Sequence, residues 1–215
     1  MRRTSRYIVC EGPIGVGKTT LTTLLAEELG ARLILERAEE NPFLTDFYKD
    51  PARYRFQTQI FFLLSRFSQQ EEISQPDLFS QITLSDYLFQ KDRIFACLNL
   101  GEHEITLYEQ IYKMLEPRIV KPDLVIFLQA DVDRLMQRIK RRGRSFEKDL
   151  SKDYIAAVNE AYNRFFFNYT ETPLLVINTS EIDFVNRRED LEDLIKQVLS
   201  MRHGTQYYVP LAGKR

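Results

Sequence analysis

Cysteine is scarce in this chain: Cys10 and Cys97 are the only two in 215 residues. That is too few for a disulfide framework, and neither has a His or Cys neighbour at metal-ligand spacing, so a reducing interior is expected. No apolar run approaches the roughly 18 residues of a membrane span. Behind the basic head MRRTSR the apolar stretch covers only Tyr7 to Cys10 before Glu11 interrupts it, too short for a signal-peptide core. Cytoplasm is the expected location, and a membrane is not an expected partner. An excess of positive charge is missing too: 30 Lys and Arg face 31 Asp and Glu, for a formal net charge of −1. No global field of the kind that draws a protein to nucleic acid exists. Finally, no Gly/Ser/Pro-rich linker, internal repeat or low-complexity tract divides the sequence, so one domain over residues 1–215 is expected.

What is present is a rhythm of short apolar runs and amphipathic stretches. Tyr7–Cys10, Arg32–Leu35, Ile82–Leu84, Leu124–Leu128 and Leu174–Ile177 read as strands, the fourth hydrophobic enough to be buried on both faces. Helical periodicity covers Thr19–Leu29, Tyr54–Ile73, Ile105–Ile119, Val132 to about Arg141, Lys152–Tyr169 and Leu191–Met201. Strands alternating with helices predict a three-layer α/β/α fold around a five-stranded parallel sheet, whose ligands sit at the carboxyl ends of the strands. The tail from Gln206 to Arg215 carries no readable pattern.

Between the first strand and first helix, Gly12-Pro-Ile-Gly-Val-Gly-Lys-Thr19 fits the phosphate-binding loop G-x-x-x-x-G-K-[ST], and Thr20 continues it. Gly12, Gly15 and Gly17 let backbone N–H groups turn inward, Lys18 adds charge, and the Thr19 hydroxyl can hold Mg²⁺. The loop implies a nucleoside triphosphate and Mg²⁺ without naming the phosphoryl acceptor. No N/T-K-x-D motif of the GTPase kind is found. Three acids end strand candidates at the ligand edge: Glu36, Asp86 and Asp131. Transfer to a hydroxyl needs one carboxylate to accept its proton and another to organise Mg²⁺. Glu36 and Asp86 are the natural pair; Glu39 and Glu40 rival Glu36, Asp86 also suits a helix cap, and Asp131 suits a cap or lid anchor better than a metal ligand. A cationic stretch, RIKRRGRSFE over Arg138–Glu147, is too short and isolated for nucleic acid. His103 reads as surface.

Together these residues resemble the deoxynucleoside kinase family of P-loop phosphotransferases over nearly the whole chain. The marks are EGPIGVGKTT (11–20), ERAEENPFLTDFY (36–48), Phe56-Gln57 with Arg66 further along one helix, RGRSFE (142–147) and Ile182-Asp-Phe184. The resemblance implies ATP-dependent phosphorylation of a deoxynucleoside 5′-hydroxyl in nucleotide salvage, by a homodimer. It implies Glu36 as the general base, Gln57 on the nucleobase, and Tyr48 with Glu147 on the sugar 3′-hydroxyl. Arg66 would lie near the base and the 5′ end, and Arg138, Arg142 and Arg144 would form a lid, about 138–147, over the phosphates. Asp183 and Phe184 would meet the adenine of ATP. Many family members read Asp/Glu-Arg-Ser after the third strand, where this chain reads Asp86-Tyr-Leu-Phe-Gln-Lys-Asp92. A bacterial branch with Asp-Tyr and a later Lys, often specialised for deoxyguanosine or deoxyadenosine, is similar. In that pattern Asp86 keeps the acid role, Lys91 replaces the missing cation and Asp92 reads a base amine. Two alternatives remain open from the sequence: a nucleoside monophosphate kinase such as thymidylate kinase, using Arg66 for the acceptor's phosphate, and a non-catalytic relative kept as a binding subunit.

Overall fold

The structure, a computed structural model, describes residues 6–75, 80–180 and 182–208. The first half runs β1 (Arg6–Glu11), α1 (Lys18–Leu29), β2 (Arg32–Ile34), α2 (Leu44–Lys49), α3 (Pro51–Ser74), β3 (Ile82–Ser85), α4 (Lys91–Asn99) and α5 (Glu102–Leu115). The second runs β4 (Leu124–Gln129), α6 (Val132–Arg142), α7 (Lys152–Phe167), β5 (Leu174–Asn178), α8 (Arg188–Ser200) and β6 (Thr205–Tyr208). All strand pairs are parallel, in the order β2-β3-β1-β4-β5-β6. The α/β architecture is as expected, but the sheet has six strands rather than five. The sixth comes from the tail left unread: Tyr208 is buried, its hydroxyl donating to Asp193 at 2.8 Å, while Thr205, Gln206 and Tyr207 are exposed. One buried residue in four leaves no alternation to read. The rest of that tail, 209–215, lies outside the described residues.

Sheet order follows from burial. Every residue from Leu124 to Leu128 in β4 is buried, as a central strand covered on both faces requires. One face carries Ile8, Cys10, Leu84, Ile126 and Leu175 against α1, α6 and α8. Burial there pushes the Cys10 thiol up to about 12, which leaves it an inert packing group. The other face carries Val9, Val125, Phe127 and Val176 against α4 and α7, with Phe127 stacked on Phe166 at 4.1 Å between ring centroids. A third cluster, Leu63, Phe89, Ala96, Tyr108 and Tyr112, joins α3, α4 and α5 away from the sheet.

Helix ends follow local chemistry. Pro51 opens α3 behind an Asp50 side chain that accepts from Arg53 N, and α6 stops at Gly143, φ 68°, a left-handed position that suits glycine. Two helices, α2 and α4, were not anticipated. No helix among the described residues is long and apolar enough to cross a membrane.

The Phe127–Phe166 stack holds α7, and with it Tyr154 and Tyr162, against the sheet. Phe166→Ala is expected to lower the unfolding free energy by about 3–5 kcal/mol, read by urea denaturation.

Candidate active site

Chain reversal across the sheet places the site. In the sheet β1 lies between β3 and β4; the chain leaves β1 for β2 on one side and later crosses from β3 to β4 on the other, so the loop after β1 opens at the point where strand order switches. There the phosphate loop forms as its sequence requires. Gly15 sits at φ 82°, and a Cβ on it would meet Leu135 O at 2.9 Å; a Cβ on Gly12 would lie 2.5 Å from Leu128 O. Gly17, at φ 106°, releases the chain into α1. Lys18 curls back so that Nζ donates to Gly12 O at 2.7 Å and Pro13 O at 3.1 Å. Burial lowers its ammonium to about 8, against the opposing pull of Glu11, Glu36 and Asp86. Thr20 is exposed at the cleft rim.

Asp86, just past β3, ties this loop to the next strand end. It accepts from Thr19 Oγ1 at 2.6 Å through Oδ2 and from Glu36 N at 2.7 Å through Oδ1. Thr19 and Asp86 thus present neighbouring hard oxygens beside the phosphate loop, the donor chemistry that suits Mg²⁺.

Glu36 itself receives two cations. Arg66 Nε and Nη2 donate to Oε1 at 2.8 and 2.6 Å, and Lys91 Nζ donates to Oε2 at 2.7 Å. Burial alone would raise the Glu36 carboxyl; the Lys91 ammonium and Arg66 guanidinium outweigh it and hold the group well below the usual carboxylate range. Lys91, five residues after Asp86, is thus the second cation on Glu36. Arg66 continues to the fully buried Asp92, which also accepts from Gln59 Nε2 at 2.6 Å and Tyr108 OH at 2.8 Å. Phe62 lies under the Arg66 guanidinium, 4.8 Å from centroid to carbon.

Two residues expected on the nucleobase, Gln57 and Asp92, do not line the cleft. Gln57 is exposed on the outer side of α3, and the glutamine in the cleft is Gln59. Helical geometry gives the reason: seven residues separate Gln59 from Arg66, about 20° short of two full turns, whereas the nine from Gln57 put it on the opposite face. Asp92 is present but does not line the cleft; it stands behind Arg66 and Gln59 and orients them.

Most of the remaining residues meet in one cleft of about 890 Å³. Tyr48, on α2, is half-buried there, and burial followed by neighbouring Tyr154 and Glu147 raises its phenol above the ordinary value. Glu147 is buried and bound by Arg142 through Nε at 3.2 Å and through Nη2. Arg138, one helical turn before Arg142, donates to Val16 O at 2.9 Å and to Thr179 Oγ1 at 2.8 Å, against the phosphate loop. Arg144 pairs with Glu39 at 3.2 Å. Arg141 is exposed and also borders the cleft. Phe184 lines it near Gly17, whereas Asp183 turns its carboxylate onto Val185 N and Asn186 N of its own loop and does not face the cleft. Asp131 precedes α6 and accepts weakly from Ser180 at 3.4 Å, away from the Thr19–Asp86 pair. Tyr154 and Tyr162 of α7 complete the wall and were not anticipated, because helical periodicity alone reads them as packing.

Comparison with known proteins gives a consistent picture. A family model described as Deoxynucleoside kinase matches residues 8–202. The chain is 34% identical to the deoxyguanosine kinase of Bacillus subtilis (strain 168) over 200 residues, covering 91% of this chain and 97% of that protein. It is 36% identical to the deoxyadenosine kinase of Dictyostelium discoideum over 214 residues, covering 96% and 85% respectively. A structure of deoxyadenosine kinase from M. mycoides with the products dCMP and a flexible dCDP bound superposes with a TM-score of 0.79 at 26% identity, over 90% of this chain and 99% of that one.

The lowered Lys18 pKa has a measurable consequence. A bound polyphosphate favours the protonated ammonium, so nucleoside triphosphate binding near pH 8–9 takes up protons, given the unliganded value of about 8. Calorimetry in buffers of different ionisation enthalpy is expected to show this uptake, and Lys18→Met is expected to remove it.

Proposed function

The chain belongs to the deoxynucleoside kinase family, and from that premise we propose that it transfers the γ-phosphoryl group of ATP to the 5′-hydroxyl of a purine deoxynucleoside. The observation that carries this reading is the Glu36 carboxylate, ionised between Lys91 and Arg66 in the same cleft as the phosphate loop. Such transfer asks for little covalent chemistry and much positioning and charge stabilisation.

Positive charge comes from Lys18 in the loop and from Arg138, Arg142 and Arg144 of the lid. Arg138 already faces the loop, while Arg142 and Arg144 are engaged with Glu147 and Glu39. A triphosphate therefore competes with these acids for the two arginines, and release of Arg142 leaves Glu147, beside Tyr48, free to accept from the sugar 3′-hydroxyl. Thr19 and Asp86 would hold Mg²⁺, which when bound neutralises part of the phosphate charge. Phe184 would pack on the donor base.

Glu36 is a weak base at rest because two cations stabilise its charge. In a loose transition state the acceptor hydroxyl becomes strongly acidic only as its bond to phosphorus forms, so a weak base suffices to orient the hydroxyl and take its proton late. Gln59 and Arg66, fixed by Asp92, would face the nucleobase. Purine preference is supported by the names of the relatives at 34% and 36% identity. A monophosphate kinase would need a spare cation for the acceptor's phosphate, and Arg66, the candidate for it, is committed to Glu36 and Asp92. The intact loop, base and lid also speak against a non-catalytic binding subunit.

With ATP and Mg²⁺, an acceptor panel is expected to yield dGMP or dAMP from the deoxynucleosides; turnover of thymidine monophosphate alone would overturn the reading. Glu36→Gln is expected to retain ATP binding and lose at least about 10²-fold in kcat. Lys91→Met removes the stronger of the two positive charges holding the Glu36 carboxyl down. Its pKa then rises, so the acid-side loss of kcat/KM is expected at higher pH than in the parent.

A further inference from the structure

Glu11 is the last residue of β1, fully buried, and absent from the lining of the cleft. Three donors converge on its carboxylate. Gly12 N donates at 2.8 Å and Tyr162 OH at 3.1 Å to Oε1, and Leu88 N donates at 2.6 Å to Oε2. Only a carboxylate accepts on both oxygens; an amide in its place would turn an N–H₂ towards another donor.

The positions of these donors give the carboxylate its significance. Strands β1 and β3 are paired as far as Val9 and Ser85, after which one chain enters the phosphate loop and the other enters the Asp86–Lys91 segment. Beyond the last ladder pair, Glu11 bridges the two. On the donor side Gly12 gives its N–H to Glu11 and its carbonyl to Lys18. On the acceptor side Leu88 gives its N–H to Glu11 and its carbonyl to Lys91 N at 3.1 Å, and Lys91 in turn holds Glu36. One buried group thus stands between the loop that would carry the triphosphate and the turn that carries the cation on the base.

We propose that Glu11 is a positioning residue for phosphoryl transfer: it fixes the spacing of the phosphate loop from the Asp86–Lys91 segment, and so the alignment of the γ-phosphoryl group with the acceptor hydroxyl. The inference rests on the kinase reading given above. Alignment errors of about 1 Å can cost on the order of 10²-fold in rate, so a shifted bridge acts on turnover more than on binding. It also exposes the phosphoryl group to water as a competing acceptor.

The test compares Glu11→Gln and Glu11→Asp with the parent. For each, kcat, KM for ATP and for the deoxynucleoside, the thermal midpoint, and ADP formed in excess of deoxynucleoside monophosphate are measured. Both variants are expected to lose about 10- to 100-fold in kcat, with KM values within a few-fold and a raised ratio of ADP to monophosphate. The aspartate variant keeps both acceptor oxygens but retracts them by one methylene. Its thermal midpoint is expected to stay nearer the parent's than the glutamine variant's does, while its kcat falls. If kcat follows the thermal midpoint in both variants and the ADP ratio stays at the parent's value, Glu11 is structural only and the inference fails while the kinase reading stands. A parent that phosphorylates no deoxynucleoside removes the kinase reading, and the inference with it.

Discussion

Two acids and two cations, Glu36, Lys91, Arg66 and, just behind the cleft wall, Asp92, neutralise one another, and the geometry of the site is set by that balance. They come from three parts of the chain: Glu36 follows β2, Arg66 lies in the second half of α3, and Lys91 and Asp92 open α4. Taking charges out of water is costly, and removing one member of a buried set strands the others. The cluster therefore locks α3 and α4 to the end of β2 with little tolerance for displacement. It also keeps Glu36 charged and fixed in direction, because its two oxygens face different cations. Pre-organisation of that kind is worth more to a phosphotransferase than base strength.

A second set of contacts joins this floor to the phosphate loop. Asp86 accepts from Thr19 on one side and from the Glu36 backbone on the other, so the proposed metal site and the proposed base share a carboxylate. The lid is built differently. Arg142 and Arg144 are partly exposed and bind acids of the acceptor side, Glu147 and Glu39, rather than groups of the loop. The Arg144–Glu39 pair is largely exposed and contributes little to stability, so it exchanges at low cost; Glu147 is buried, so exchange of Arg142 requires another donor to take its place on that carboxylate. On the proposed reading the rigid cluster and the lid divide the work: one would fix the acceptor, the other would respond to the donor.

Strongly local signals were legible in the sequence. The phosphate loop, the strands β1, β3, β4 and β5, and the acids at strand ends each announce themselves within a few residues, through glycine spacing or uninterrupted hydrophobicity. What could not be read depended on distant partners. Strand β6 exposes three of its four residues and is defined by pairing with β5. Helix α4 opens with two charges, Lys91 and Asp92, whose burial makes sense only beside Glu36 and Arg66. Gln57 and Gln59 are indistinguishable by type, and the sequence did contain the means to choose between them, since only Gln59 shares the helical face of Arg66.

The departure after Asp86 shows how one cation can be supplied by a different route. Tyr87 occupies the next position, fully buried in the cluster of Tyr7, Ile34 and Leu88, so no charge is available there. Lys91 arrives four residues later, at the first position of α4, where the helix dipole disfavours a cation. Its attraction to Glu36 at 2.7 Å opposes that penalty. Its backbone is also held, by Leu88 O, and Leu88 is held in turn by the buried Glu11 carboxylate. A lysine has four rotatable carbons and a single point of charge, so it directs a carboxylate less rigidly than a two-pronged guanidinium. Here the backbone anchor and near-complete burial of Lys91 limit that freedom, and Arg66 supplies the two-pronged contact from the other side. The pair divides between two elements the orienting task that one arginine would perform, and α4 becomes part of the site in consequence.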